Sequence, residues 1–254
     1  MIRAAMKSSV IHKFNRAVNT YDVWSDVQIF AMQKVCERLP AYQPAYVLEI
    51  GCGTGQLSSH LVKQYPSSRF LLIDAAPNMV FHCSKKLGPC QNVSFEIMDA
   101  EFIQETALFD LIVSSMTMHW FSAPQETLQR LKKALRPGGV FVFAALGSSS
   151  LREWREAGLA CGVDLGIRDF LSQQLLEENL PGIDLQVHTL RQRYDDSWHF
   201  LSTLKNIGGT AAREGHYPVS TIDLKKVMHT LDHQHHQGVF ITYELLSGLW
   251  RKPL

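Results

Sequence analysis

From residue 45 onward the chain alternates short apolar runs with amphipathic stretches, and that rhythm restricts it to a parallel α/β sheet. Tyr46–Ile50, Phe70–Ile73, Val93–Met98, Leu111–Val113 and Val140–Ala144 read as strands. Helical stretches separate them: Gln56–Gln64 before Pro66, Asn78–Leu87, and about Pro124 to Leu135, which stops at Arg136-Pro137-Gly138-Gly139. Near-continuous apolar strands imply a sheet covered by helices on both faces, and right-handed crossovers leave few topologies. Such sheets bind ligands beside the carboxyl ends of their strands. Residues 22–38 predict one helix, ended by Pro40. Beyond Ala145, Leu151–Leu159 reads as a helix, and Leu185–Leu190 and Phe240–Leu245 read as a sixth and a seventh strand. Helical stretches near Trp198–Ile207 and Thr221–His235 lie between those two, so a cap over the strand ends is expected.

A glycine run occupies the decisive place. Leu48-Glu49-Ile50-Gly51-Cys52-Gly53-Thr54-Gly55 follows the first strand and opens a helix, where glycine permits positive φ and close approach of the backbone to a ligand. Taken alone, the run is a tight strand-to-helix turn. Three acids change that reading. Glu49 precedes the first glycine, where a carboxylate suits a cationic ligand and would repel a pyrophosphate. Asp74 closes the second strand, where an acid accepts ribose hydroxyls, and Asp99 closes the third, where it accepts from an adenine amino group. The G-x-G-x-G spacing lacks the dinucleotide fingerprint. A lone Asp at a strand end is ordinarily a cap or turn residue; three acids at successive strand ends point to a cationic nucleoside.

Composition narrows the function classes. Twenty-five basic and 24 acidic residues give a formal charge of +1, so there is no electrostatic case for a nucleic-acid partner. Hydrophobic residues make up 46% and charged residues 19%, a globular balance with no apolar run of membrane-spanning length. The beginning carries Arg3, Lys7, Lys13 and Arg16 without a sustained apolar core, which is unlike a secretory signal, and Asp22 and Asp26 break a mitochondrial pattern. Five scattered cysteines suggest reduced thiols and a cytoplasmic setting. Cys83 and Cys90 lack a second pair at zinc-site spacing, and no structural metal is expected. His229, His233, His235 and His236 form a tract that could bind a metal, although a solvated helix face is the plainer reading.

The glycine run, with Leu111-Ile112-Val113-Ser114-Ser115 and Leu135-Arg136-Pro137-Gly138-Gly139, resembles the class I S-adenosylmethionine-dependent methyltransferases over about Ala45 to Leu146. A narrower resemblance, to the biotin-pathway malonyl-acyl-carrier-protein O-methyltransferases, rests on motifs along nearly the whole chain. They are Phe14-Asn15-Arg16-Ala17, Thr20-Tyr21-Asp22, Val27-Gln28, Ser114–Trp120, Leu151-Arg152-Glu153, Leu204–Gly208 and Thr242-Tyr243-Glu244. Met118-His119 and Gly209 depart from the family pattern, and His216–Gln237 matches little of it.

The resemblance implies one Rossmann-like domain over 1–254. Its seven-stranded sheet would carry an antiparallel last strand, an N-terminal helical segment (1–40) closing the cofactor site, a core (45–146) and a helical cap (196–237). It implies that Glu49, Gly51, Gly53 and Gly55 hold the methionine portion of S-adenosyl-L-methionine, Asp74 the ribose, and Met79, Asp99 and Ala100 the adenine. Ser114 and Ser115 would lie beside the sulfonium, and Tyr21 near the transferred methyl. The acceptor would be malonyl on an acyl carrier protein, or malonyl-CoA. An ionised carboxylate requires no general base, which fits the want of an obvious catalytic dyad. Lys205, Arg152 and Arg155 are candidates for binding that carboxylate, with Lys205 foremost. Lys132, Lys133 and Arg136 could serve an acidic carrier or simply satisfy a helix dipole. His119 could act as a base, or shape the pocket. Two rival readings remain: a small-molecule methyltransferase for a quinol or a free acid such as trans-aconitate, and a cofactor-binding assembly factor or hydroxylase.

Overall fold

The computed structural model describes residues 2–233 and 238–254. Sixteen regular elements alternate along it. They are α1 (Ile2–Ala17), α2 (Asp26–Cys36), β1 (Tyr46–Ile50), α3 (Gln56–Gln64), β2 (Arg69–Asp74), α4 (Pro77–Leu87), β3 (Val93–Ile97) and β4 (Phe109–Ser115). Then follow α5 (Pro124–Ala134), β5 (Leu135–Leu146), α6 (Arg152–Ala160), α7 (Gln173–Asn179), β6 (Asp184–Tyr194), α8 (Ser197–Asn206), α9 (Thr221–His233) and β7 (Val239–Arg251).

The seven strands form one sheet in the order β3-β2-β1-β4-β5-β7-β6. All neighbours from β3 to β5 are parallel, and β7 runs antiparallel between β5 and β6. Strand order reverses between β1 and β4, where the crossovers diverge and leave a crevice. Alternate residues of each strand enter different cores, as a sheet buried on both faces requires. Val47, Leu72, Leu111, Val113, Val140 and Val142 pack in one layer, and Leu48, Ile50, Leu71, Ile73, Phe141 and Phe143 in the other.

Local chemistry sets the ends of the helices. Proline stands at the first position of α4 and α5, and α4 stops at Gly88 with φ +69°. Asp196 caps α8 by accepting from the His199 amide at 2.7 Å. Helices α8 and α9 lie together, because Asp232 accepts from both the amide and the hydroxyl of Ser197 at 2.7 and 2.8 Å. Helix α9 packs in turn on α6: Val227 and Leu231 share a core with Trp154 and Ala157.

One predicted helix is two elements. Within 22–38 the chain makes a single 3-10 turn, Tyr21–Val23, and restarts as α2 at Asp26. The break frees Asp22 to accept from Thr54 Oγ1 and from Gln56 Nε2 at 3.0 Å. Helices α1 and α7 fall outside the spans predicted from periodicity. Among the described residues no helix is long and apolar enough to cross a membrane, and the five cysteines are free thiols. His235 and His236 lie outside the described residues; His229 and His233 stack with ring centroids 3.8 Å apart. Among the described residues no three His, Cys, Asp or Glu side chains form a metal-holding group.

Candidate active site

The carboxyl ends of β1, β2 and β4 are drawn together by backbone hydrogen bonds. The amides of Gly51 and Cys52 both donate to the Ile73 carbonyl, at 2.8 and 3.0 Å. Gly53 then donates to Asp74 Oδ2 at 3.0 Å, while Ala76 donates to Oδ1 at 2.8 Å. The glycine turn and the second-strand acid are therefore one unit. Gly51 has φ +71°, and a Cβ there would stand 2.0 Å from Thr117 Oγ1. Gly53, with φ +51°, would meet nothing within 4 Å, so its backbone faces open space.

Around this unit lies a slot of about 100 Å³ lined by Gly51, Gly53, Asp74, Met79, Asp99, Ala100 and Ser115, with Met98 and Phe121. Val10, Ile11 and Phe14 of α1 lie over it. Asp99 also caps the short turn that starts at Ala100, accepting from the Glu101 amide at 3.0 Å. Burial pushes the Asp74 carboxyl up to about 6, against the pull of its two backbone donors.

A second space of about 660 Å³ adjoins the slot. Phe14, Tyr21, Met116 and Trp120 line both. Met116 holds φ +56°, a costly conformation for a side chain of its size, as the chain leaves β4 at this junction. Tyr21 is set there by Asp22, which is bound to Thr54 and Gln56 of the glycine turn and α3, and ion-paired to Lys86 at 2.9 Å. Burial, then the charges of Asp74 and Asp22, raise the Tyr21 phenol far above its ordinary value, so it stays neutral. His119 also faces the large chamber. Burial and the charge of Arg168 push it down to about 3, and its Nδ1 has no hydrogen-bond partner.

Four expected site residues stand elsewhere. Glu49 is 1% exposed but not on the slot wall. Strand alternation turns it to the face of Val47, beneath the glycine turn, where burial and the neighbouring Cys83 raise its pKa far above the usual carboxylate range. Gly55 starts α3 with φ +87° and abuts Cys83, whose Sγ would lie 3.0 Å from an added Cβ. Ser114 is buried inward and donates to the Ile50 carbonyl at 3.3 Å, joining β4 to β1, whereas its neighbour Ser115 faces the slot. Lys205 is exposed and lines neither space.

The segment around Lys205 instead receives α1. Thr20 donates to the Asn206 carbonyl at 2.8 Å, and a Cβ on Gly208 would crowd the Lys13 and Phe14 backbone at 3.2 Å. Arg152 is exposed beside Glu153 and Glu156. Arg155 spends its guanidinium on the Ser150 and Arg168 carbonyls, at 3.3 and 2.8 Å. Lys132 reaches the Asn179 carbonyl at 2.9 Å and Arg136 pairs with Asp110 at 3.1 Å. Both sit at the amino end of β5, the edge of the sheet away from the slot. Sequence reasoning passed over Arg168, Met116 and Trp120 as site residues. Met116 and Trp120 carried a signal, through their place in the Ser114–Trp120 stretch; Arg168 carried none.

The comparisons with known proteins bear on this geometry. A family described as a methyltransferase domain matches residues 47–139. The chain is 33% identical to the malonyl-[acyl-carrier protein] O-methyltransferase of Magnetococcus marinus, over 94% of this chain and 90% of that protein. The chain belongs to the malonyl-[acyl-carrier protein] O-methyltransferase family. It is also 33% identical to the biotin biosynthesis bifunctional protein BioCD of Bordetella avium, covering 96% of this chain and 52% of that one. Among solved structures it resembles the YcgJ protein from Bacillus subtilis, with a TM-score of 0.61 at 18% identity over 87% of this chain and 97% of that one. The N-methyltransferase NodS from Bradyrhizobium japonicum, in complex with S-adenosyl-L-homocysteine, gives a TM-score of 0.52 at 15% identity, covering 87% and 85%. These likenesses establish the class I methyltransferase fold.

The enzyme is thus a methyltransferase whose cofactor is S-adenosyl-L-methionine. The residues that line the slot suit the chemistry of that group. The slot offers two carboxylates at successive strand ends, backbone without side chains at Gly51 and Gly53, and an apolar floor at Met79.

Proposed function

We propose that the enzyme methylates the free carboxylate of a malonyl thioester, carried by acyl carrier protein in preference to coenzyme A, in the cytoplasm. The product would be the malonyl methyl ester that starts pimeloyl synthesis for biotin. Membership of the family supports the reading. The observation that carries it is the electrostatics of the junction: His119 and Tyr21, the two side chains there that could take part in proton transfer, are both neutral, and neither is a competent base. His119, pushed down to about 3, is a poor acceptor for a hydroxyl proton at neutral pH. Tyr21 is a neutral phenol. A malonyl carboxylate has no proton to lose, so this chemistry suits it, whereas a quinol would require a base.

Bound S-adenosylmethionine supplies a methyl group already activated by its positive sulfur. The residues of this chain have the remaining tasks. Asp74 would accept from the ribose hydroxyls, Asp99 with Ala100 would meet the adenine edge, and Met79 would pack on the base. Gly51, Gly53 and Ser115 would border the methionine portion. Glu49 and Ser114 would act from beneath, one supporting the turn and the other joining β4 to β1. Phe14, Tyr21 and Trp120 would exclude water where acceptor and methyl meet, which favours in-line displacement of carbon from sulfur by a carboxylate oxygen. The slot's volume is small for a whole nucleoside, and we infer that the N-terminal segment withdraws to admit the cofactor and then closes over it.

The test is direct. The enzyme is incubated with isotopically labelled S-adenosylmethionine and malonyl carrier protein, and the intact product is weighed. A gain of one labelled methyl that is lost on mild ester hydrolysis is expected; transfer to a quinol but not to malonyl carrier protein would overturn the reading.

A further inference from the structure

The large chamber is mostly apolar, lined by Trp24, Trp154, Leu165, Phe170, Leu201 and Tyr194 among others, yet it must receive a charged group. Among the described residues, three permanent cations border it: Lys13, Arg168 and Arg193. Lys13 donates to the Thr210 carbonyl at 2.5 Å, and Arg193 is 58% exposed, 3.9 Å from Asp195. Arg168 differs in place. It is half-buried, and its guanidinium carbon stands 5.6 Å over the Trp120 ring, which lines slot and chamber alike. Its charge reaches His119, on the same wall.

Resting on the acceptor reading above, we propose that Arg168 is the anchor for the acceptor carboxylate, the role sequence reasoning gave to Lys205. A planar guanidinium can hold a carboxylate through paired donors and fix its orientation, which a lysine cannot do as well. The loop that delivers Arg168 is built rather than loose. Arg155 donates to the Arg168 carbonyl at 2.8 Å and lies 5.5 Å from the Phe170 ring. Arg213 grips Asp164 at 2.7 and 2.5 Å, and its amide donates to the Gly166 carbonyl at 2.8 Å. Glu101 and Glu214 are the acids whose charges act on Arg168. Glu101 is directed to the start of α5, accepting from the Ala123 amide at 2.9 Å.

Two consequences follow for specificity. An acyl group without the distal carboxylate, such as acetyl, gains nothing from Arg168. A methylated product has lost the charge that held it, so the same residue favours release.

The test compares wild type with Arg168→Met and Arg168→Lys on malonyl carrier protein, using acetyl carrier protein as a competitive inhibitor. Loss of a charge-assisted contact should raise KM for malonyl carrier protein about 30- to 100-fold in R168M, with kcat changed by less than about fivefold. Inhibition by acetyl carrier protein and affinity for S-adenosylhomocysteine should stay within about twofold of wild type, and R168K should recover part of the loss. A fall in kcat with KM unmoved, or an equal loss of acetyl and malonyl binding, would overturn the assignment. Wild-type enzyme that does not methylate malonyl carrier protein would instead remove the acceptor reading, before any variant is made.

Discussion

The two spaces that meet at Tyr21 and Trp120 are built by different means. The cofactor slot is made from the ends of adjacent strands, where sheet hydrogen bonding fixes every neighbour: Ile50 opposite Ile73 on one side and Ser114 on the other. The acceptor chamber is assembled from segments far apart in sequence, including α1, the loop before α7, the last residues of β6, and α8. A strand end is specified by a few local residues. A chamber wall is specified by whatever the packing of helices brings there. The first should therefore respond to substitution sharply and locally, and the second by graded loss of fit.

The largest expected effect tests the rigidity of the slot. Gly51→Ala would place a methyl group against Thr117 in a backbone conformation of φ +71°. Left-handed strain and overpacking together should cost about 2–4 kcal/mol of stability, read from urea unfolding. The double variant Gly51→Ala, Thr117→Gly should recover the overpacking part. If it recovers nothing, the glycine is required for conformation alone, and the close approach of Thr117 is incidental.

Next comes the acid that ties turn to strand. Asp74→Ala should weaken S-adenosylhomocysteine binding by about 2–3 kcal/mol, a loss typical of hydrogen bonds to a charged group, measured by calorimetry. A similar loss from Glu49→Gln would contradict its placement under the turn and return it to the ligand. The pH dependence sharpens the point. A carboxyl with a higher pKa in the folded chain holds its proton more tightly there. The contribution of Asp74 to the stability of the ligand-free enzyme should then fall as pH rises from about 4 towards 6, and level off above. Cofactor binding should move the other way, because the ribose hydroxyls donate to the ionised form. Affinity for S-adenosylhomocysteine should rise about tenfold, some 1.4 kcal/mol, between pH 5 and pH 7, and D74N should flatten that rise.

What could be read in the sequence divides along the same line. The strands, their order of appearance, the glycine turn, Asp74 and Asp99 were legible because each is set by neighbours within a few residues. Glu49 and Ser114 do not line the slot, and a readable signal for that existed. Side chains alternate along a strand, so Ser114 and Ser115 cannot both face the ligand, and Glu49 must share the face of Val47. Lys205 lies in a family-like segment for another reason: Gly208, not the lysine, is what the approach of α1 demands. Arg168 carried no signal. It sits in an irregular stretch, and only the packing of Arg155, Asp164 and Arg213 around that stretch brings it to the junction.

The smallest expected effect decides what kind of chemistry the chamber supports. His119 is 5% exposed, tilted against Trp120 and edge-on to Phe170, with centroids 5.2 and 5.8 Å away. A buried imidazole pushed down to about 3 is neutral throughout the working range, so its loss removes volume and polarity but no titration. His119→Asn should lower kcat by less than about tenfold, below ~1.4 kcal/mol, and leave the acid limb of the pH–rate profile where it was. A general base would behave otherwise: its removal would take the acid limb with it and cost about a hundredfold or more. That result would mean a hydroxyl acceptor, and Arg168 would need another purpose. The small effect is therefore the discriminating one, because a carboxylate that arrives already ionised leaves His119 nothing to remove.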